Sequence, residues 1–242
     1  MPTLIELWLK ATWTVRPDTR KLHGLACALF EQSGAEHGGQ EKPFAVSPLR
    51  PAPGGPSDEW EWRAAWLPDS IPPAGVLTAD VLRVGHVSCA VTESTQRRVT
   101  HAALAFGAAV REVTVGFRSP VYFSQNGTDV LVPDPRLIVG SWRRRWNASL
   151  PDGDALVISD DAWTESHRPL TLAAFDLRTS TRDSGHGRDR TGFTGTASLR
   201  LARNAPAAAR QVLGMLARFA EFCGTGAQTT HGFGVTELKA AV

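Results

Sequence analysis

The chain of 242 residues is 42% hydrophobic, with a formal net charge of +2 at pH 7 and an isoelectric point near 8.6. Such a chain can bury the core of one large domain or two small ones, and its weak charge excludes a purely electrostatic nucleic-acid binder. It has no run of about eighteen apolar residues and no basic N-terminal segment followed by an apolar one, so neither a membrane span nor export is expected. Its three cysteines, Cys27, Cys89 and Cys223, form no CxxC pair, which argues against a disulfide framework or a zinc site and favours a reducing cytoplasm.

The first half predicts the element order β-α-β-β-α-β. Period-two alternation indicates strands, and 3.6-residue periodicity with caps indicates helices. The predicted elements are a strand over 4–11, a helix between Asp18 and Gly34, strands over 44–49 and 59–66, a helix around 74–82 and strands between 86 and 104. This order is typical of a ferredoxin-like or RRM-like unit.

The second half repeats that plan. Its predicted elements are a strand over 110–117, a helix over 135–147, strands over 155–159, 172–179 and 195–201, a helix over 206–223 and a strand over 234–238. The prediction is therefore an α+β fold of two tandem ferredoxin-like domains, residues 1–108 and 109–242.

A glycine-rich loop joins the last helix to the last strand. It holds Gly224, Gly226, Gly232 and Gly234 in two GxG pairs. A phosphate-binding P-loop or Rossmann loop runs instead from a strand into a helix, so this loop is neither. Glycine allows positive φ and close backbone approach, which predicts an exposed backbone that holds phosphates through its N–H groups.

Two basic patches are candidates for RNA contact. One is Arg143-Arg144-Arg145, flanked by Trp142 and Trp146, and the other is a polar segment with Arg178, Arg182, Arg188 and Arg190. A solvated helix face and a flexible loop explain them equally well, so both readings stay open.

Histidine is the side chain best suited to move protons near neutral pH, because its ordinary pKa is about 6.5. Of the seven histidines, His37 lies in a glycine-bordered segment before the strand at 44–49, and His23 lies at the start of the first helix. By its residues alone, His37 is better explained as an ordinary exposed histidine, and His23 is also explained as a helix-start histidine bonded to the backbone.

Several segments, in this order, resemble one known family. They are Leu22-His23-Gly24-Leu25, the segment 43–49, the segment 117–123, Trp142 to Asn147, Gly192-Phe193-Thr194-Gly195 and the terminal glycine loop. The chain resembles the CRISPR-associated endoribonucleases of Cas family six, in the RAMP superfamily. These enzymes cut precursor CRISPR RNA within its repeats as part of antiviral defence.

The resemblance implies a catalytic role for His37, with Lys42 stabilising the charged phosphorane and His23 as a possible second proton-transfer group. The tyrosine found in the first helix of some members falls here on Cys27. The implied reaction is metal-independent attack by a ribose 2′-OH, leaving a 2′,3′-cyclic phosphate and a 5′-OH, with no metal or cofactor.

For RNA binding, the resemblance implies the glycine loop and the first basic patch. The residues are Gly224, Gly226, Gln228, Thr229, Thr230, His231, Gly232, Gly234, Arg143 and Arg144. The implied partner is CRISPR repeat RNA, with an effector complex and a homodimer left open. A catalytically silent RNA-binding subunit and an unrelated nucleotide-binding enzyme are the alternatives, the second disfavoured by the helix-to-strand placement of the glycines.

Overall fold

The structure is a computed structural model that describes residues 1–12, 18–31, 42–184 and 189–242. The elements of the first half are β1 Thr3–Lys10, α1 Thr19–Phe30, β2 Phe44–Val46, β3 Arg50–Pro51, β4 Glu59–Trp66, α2 Ala74–Thr78, β5 Val81–Val84, β6 Val87–Arg98 and α3 His101–Ala105. Those of the second half are β7 Glu112–Val121, β8 Phe123–Gln125, β9 Thr128–Val130, α4 Pro135–Ala148, α5 Asp160–His167, β10 Leu170–Asp183, β11 Asp189–Leu201, α6 Ala207–Cys223 and β12 Thr236–Ala241.

The first sheet has β1 near its centre, in the order β2-β4-β1-β6-β5, and all these pairings are antiparallel. Alternate residues of β1, namely Ile5, Leu7 and Leu9, are buried in the core that α1 covers. Because successive strand side chains point to opposite faces, Glu6 and Trp8 lie on the face away from α1.

The second sheet has the same topology, in the order β10-β11-β7-β12, again antiparallel throughout. Helices α4 and α6 contribute to its core, including two fully buried indoles, Trp142 and Trp146. The two sheets and their covering helices confirm the predicted α+β fold of two ferredoxin-like units.

The two halves share a packed joint. Helix α6 contacts β2 and β4 of the first sheet, and Leu4 and Ala65 belong to the same apolar core as α6. The buried guanidinium of Arg145 donates from Nη2 to the Phe44 carbonyl oxygen at 2.7 Å. Within the described residues, no helix is both long and apolar enough to cross a membrane.

One predicted strand is wrong. Residues 155–159 form no strand, because side chains of α4 bind the main-chain groups of this segment. The carbonyl oxygens accept from Trp146 and Arg143, and Asn147 binds both main-chain groups of Ile158. The predicted helix over 74–82 ends at Thr78, where β5 soon begins, and α5 was not predicted. The domain boundary at 108/109 stays a prediction, in the connection between β6 and β7.

Candidate active site

Helix α1 carries a row of polar side chains on one side. Its N-cap is Asp18, whose carboxylate accepts from the Lys21 N–H at 2.9 Å, and this fixes where the helix begins. His23, Cys27 and Glu31 follow at intervals of four residues, a spacing that brings side chains to one face. The His23 Nε2 and Cys27 Sγ atoms lie 3.4 Å apart.

An ion pair ends this row. Lys42 Nζ, just before β2, lies 2.6 Å from the Glu31 carboxylate, and the two side chains are only 14% and 6% exposed. Glu31 follows Cys27 by the same four residues that separate Cys27 from His23, so helical periodicity is the sequence signal that indicates Glu31. Lys42 thus lies in the same cluster as His23, and its ammonium is paired with the Glu31 carboxylate.

The Cys27 thiol is held protonated by its surroundings. Burial, followed by the negative charge of Glu31, raises its pKa from 9.0 to about 11, and Lys42 only partly offsets this. A thiol with so high a pKa is a poor nucleophile. Cys27 is therefore a hydrogen-bonding neighbour of His23.

His23 joins the first helix to the glycine loop of the second half. Its Nδ1 lies 2.9 Å from the Thr230 carbonyl oxygen. Its ring stacks on that of His231, with centroids 3.9 Å apart and an interplanar angle of 11°. Two histidines more than 200 residues apart in sequence therefore share one site, a pairing that no local sequence pattern indicates.

The glycine loop itself is closed, and the expectation of an exposed backbone is wrong. Its four glycines are buried, and many of its N–H groups donate within the protein. These bonds are Gly224 to Ala220 O, Thr225 to Gly234 O, Gly226 to Ser141 Oγ, Ala227 to Tyr122 O, and Gly234 to Pro120 O. The physical reason is that a buried main-chain N–H must find a partner.

Gly234 shows why glycine is required in this loop. Its φ is +67°, and a Cβ there would overlap the Thr225 carbonyl oxygen. The loop backbone is thus folded onto itself, and the glycines shape it. Thr229, expected as a donor to RNA, is also buried, at 5% exposure. Gln228, Thr230 and His231 are partly exposed.

The first basic patch separates into three different environments. Arg143 donates to the Ile158 carbonyl oxygen at 2.8 Å and to Asp160 at 2.6 Å, so it anchors the connection between α4 and α5. Arg145 is buried in the joint between the halves. Arg144 is exposed and lines a shallow pocket with Arg136, Gly226 and Ala227.

The second patch contributes to a different surface. Arg178 and Arg182 line a groove on the sheet face away from α4 and α6, with Arg50, Arg118 and Lys239 among its other residues. Of the remaining predictions, Arg188 and the principal candidate His37 lie outside the described residues. The segment that carries His37 begins after Glu31 and ends before Lys42, the two partners of the ion pair.

A model of the family "CRISPR-associated endoribonuclease Cas6" matches residues 115–236, just over half of the chain. The chain belongs to the Cas6 family. It is therefore an RNA-cleaving enzyme by family, and the match covers most of β7, the helices that pack behind it, and the whole glycine loop.

Solved Cas6 structures share this architecture over the full chain. A Thermus thermophilus Cas6 in a product complex is 27% identical, with a TM-score of 0.84 over 98% of this chain and 100% of that one. A second Cas6 product complex is 26% identical, with a TM-score of 0.80 and the same coverage. A Cas6-related protein from Pyrococcus furiosus, 11% identical with a TM-score of 0.57 over 98% of both chains, shares the fold alone. No curated protein sequence matches this Cas6 chain.

Proposed function

We propose that this Cas6 chain cuts precursor CRISPR RNA within its repeats, without a metal ion, by attack of a ribose 2′-OH on the adjacent phosphate. The observation that carries the proposal is the cluster of His23, Cys27, Glu31 and Lys42 against the glycine loop. Family membership supports an RNA substrate, and solved relatives are described as product and substrate-mimic complexes.

The cluster supports a role for His37 through chain connectivity. His37 is five residues from Lys42 and six from Glu31. The ion pair keeps both ends of its segment at the cluster.

The reaction needs two proton transfers and one site of charge stabilisation. A base takes the 2′-OH proton as that oxygen bonds to phosphorus, and an acid protonates the 5′-oxygen as its bond to phosphorus breaks. The products are a 2′,3′-cyclic phosphate and a 5′-OH. We assign His37 and His23 to these proton transfers, and Lys42 to the negative charge of the phosphorane.

For RNA binding we propose the partly exposed side chains of the loop, Gln228, Thr230 and His231, together with Arg144. A guanidinium suits phosphate because it donates two parallel hydrogen bonds. The buried glycines and Thr229 maintain the conformation of the loop. Arg143 can bind RNA only if a phosphate of the RNA displaces Asp160 from its guanidinium.

The test is single-turnover cleavage of end-labelled repeat RNA in excess EDTA. We expect His37→Ala and His23→Ala each to lower the rate by about 10²- to 10⁴-fold, the usual contribution of general acid-base catalysis. Lys42→Met should also slow cleavage, and a 2′-deoxy substitution at the cut should abolish it for every variant.

His86→Ala is the matched control, because His86 is an exposed histidine in the turn between β5 and β6. Its rate should equal that of the wild type. If the wild-type protein binds repeat RNA tightly but does not cut it, the chain is the silent RNA-binding subunit. Cleavage that requires added Mg²⁺ contradicts the mechanism.

The predicted partners and compartment extend this proposal. Cys27, Cys89 and Cys223 are all described and form no disulfide, which supports a reducing compartment such as the cytoplasm. Assembly into a CRISPR effector complex and homodimerisation stay predictions. Light scattering of the purified protein, with and without repeat RNA, measures whether the chain forms a homodimer.

A further inference from the structure

The hydrogen bond between His23 and the glycine loop fixes where the imidazole proton sits. The Thr230 carbonyl oxygen, 2.9 Å from Nδ1, can only accept a hydrogen bond. Nδ1 must therefore carry a hydrogen. In the neutral ring the lone pair is then on Nε2, since the bond made by one ring nitrogen decides the state of the other.

The Nε2 atom of His23 faces a thiol. Cys27 Sγ is 3.4 Å away, and its raised pKa of about 11 keeps it a thiol. The Glu31 carboxylate also accepts from this thiol, and a thiol is a weak donor, so Cys27 does not hold the Nε2 lone pair firmly. The charged neighbours, Glu31 and Lys42, are paired with each other beyond Cys27.

The plane of the His23 ring is fixed by His231. The two rings are nearly parallel, with an interplanar angle of 11° and centroids 3.9 Å apart. The His23 ring therefore cannot rotate about its Cβ–Cγ bond without displacing the His231 ring. Thr230 organises both rings, because its carbonyl oxygen bonds His23 Nδ1 and its hydroxyl lies 3.1 Å from His231 Nδ1.

The loop that carries these groups is itself held in place. Gly232, at φ +84°, packs so closely that a Cβ would lie 3.0 Å from the Pro48 nitrogen. Gln228 takes the left-handed conformation at φ +53° and its carbonyl oxygen accepts from the N–H groups of His231 and Phe233. A fixed loop is what a positioning contact requires.

We infer that the glycine loop acts as an orienting support for His23, with the Thr230 carbonyl selecting the tautomer and His231 serving as a positioning residue that fixes the ring plane. This inference rests on the proposed role of His23 in proton transfer, and it adds to the RNA contact proposed for His231. By this inference, the loop in the second half of the chain orients a proton-transfer group in the first half.

The first arm of the test measures the tautomer directly, without RNA. Long-range ¹⁵N–¹H correlation spectra of histidine-labelled protein at alkaline pH, assigned with His23→Gln, report which ring nitrogen of His23 carries hydrogen. The expected result is hydrogen on Nδ1. Hydrogen on Nε2 overturns the inference, whatever the cleavage assay gives.

The second arm separates positioning from binding. His231→Ala should lower the single-turnover rate at saturating RNA about tenfold to a hundredfold, as misplacement of a reacting group does, while the RNA Kd changes only a few-fold. His231→Phe, which keeps the stacked ring without its nitrogens, should recover most of that rate. Thermal unfolding of both variants shows that they are folded.

Three results overturn the inference in this arm. They are an unchanged rate for His231→Ala, a loss confined to Kd, and an equal loss of rate for His231→Phe, which would make the nitrogens of His231 the active feature. If His23→Ala cuts normally, the proposed role of His23 in catalysis fails, while the tautomer spectrum still decides whether the loop orients the ring.

Discussion

Trp142 connects helix α4 to the glycine loop through a directed chain of hydrogen bonds. Its Nε1–H donates to Thr225 Oγ1 at 2.7 Å, and that hydroxyl lies 2.6 Å from Thr236 Oγ1. The Thr236 hydroxyl in turn donates to the Gly234 carbonyl oxygen at 2.8 Å. All of these groups are buried, so each depends on its partner for the hydrogen bonds that water would otherwise supply.

We predict that Trp142→Phe is more destabilising than the same change at Trp62. Both indoles are fully buried, but the Trp62 Nε1 has no hydrogen-bond partner within the described residues. Both substitutions remove similar volume, and only Trp142→Phe leaves Thr225 without its donor. The difference in unfolding free energy should be about 1–3 kcal/mol, measured by urea unfolding. Equal losses would contradict the role of the Trp142 hydrogen bond.

At the level of single residues, the sequence suggested candidates for the site but not the contacts that they make, and their catalytic roles stay predictions. His23 and Lys42 were chosen by resemblance, and the structure brings them to one cluster. The burial of Arg145 and the stack of His23 on His231 escaped prediction, because both depend on contacts between the two halves. A helical pattern marks arginine as solvent-facing unless such a contact is known.

Among the elements, the glycine loop behaves as a compact structural unit. Its backbone crosses close to itself between Thr225 and Gly234, where the Thr225 N–H donates to the Gly234 carbonyl oxygen and no room is left for a side chain at residue 234. Gly234 combines a positive φ with close approach of another backbone segment, and each of these requires glycine. Comparison with a glycine that has positive φ but no close neighbour separates the two effects.

We predict that Gly234→Ala destabilises the protein by about 3–5 kcal/mol, since left-handed strain adds to steric overlap. Gly153→Ala is the control. Its φ of +76° is similar, but a Cβ there would meet nothing within 4 Å. It should therefore cost only about 1–2 kcal/mol. Urea unfolding of both variants measures the difference, and comparable losses would refute the steric argument.

Element prediction succeeded where local signals agreed with the final contacts. The strand over 59–66 and the helix from Pro135 were correct, because alternation in one case and an N-cap with a following proline in the other act locally. The predicted strand over 155–159 is wrong, because side chains of α4, which lies outside this segment in sequence, form hydrogen bonds with its main-chain groups. Apolar composition alone does not supply a strand partner.

At the scale of the whole molecule, His101 lies where the two halves meet. It is 1% exposed, with Nδ1 3.3 Å from the Asp69 carboxylate and Nε2 2.8 Å from Ser149 Oγ at the end of α4. Its ring packs edge-on against Trp146, with centroids 4.8 Å apart. Burial lowers the pKa of His101 below 6.5, although the hydrogen bond and charge of Asp69 oppose this.

This shift makes stability depend on pH. Because the pKa of His101 is lower in the folded state, the unfolded chain binds more protons as the pH falls below about 6.5, and acid favours unfolding. Burial raises the pKa of Asp69, but hydrogen bonds from His101 and the N-terminal ammonium together lower it by more, so the pKa lies below its ordinary value of 3.8. Asp69 therefore stays ionised in mildly acidic solution.

We predict that the urea midpoint of the wild type falls between pH 7.5 and pH 5.5 by more than that of His101→Gln, whose side chain keeps hydrogen-bonding capacity but does not titrate in this range. Tryptophan fluorescence follows the transition at both pH values. A decline of the same size in both proteins would mean that other groups, such as the exposed histidines, set the pH dependence.

The ion pair between Glu31 and Lys42 has a consequence for how such chains diverge. It fastens together the two ends of the segment that carries His37, so the rest of the fold does not depend on the length of that segment. Related chains that keep these two partners can therefore differ in the residues between them, while the end of α1 and the start of β2 are still held together by the same contact.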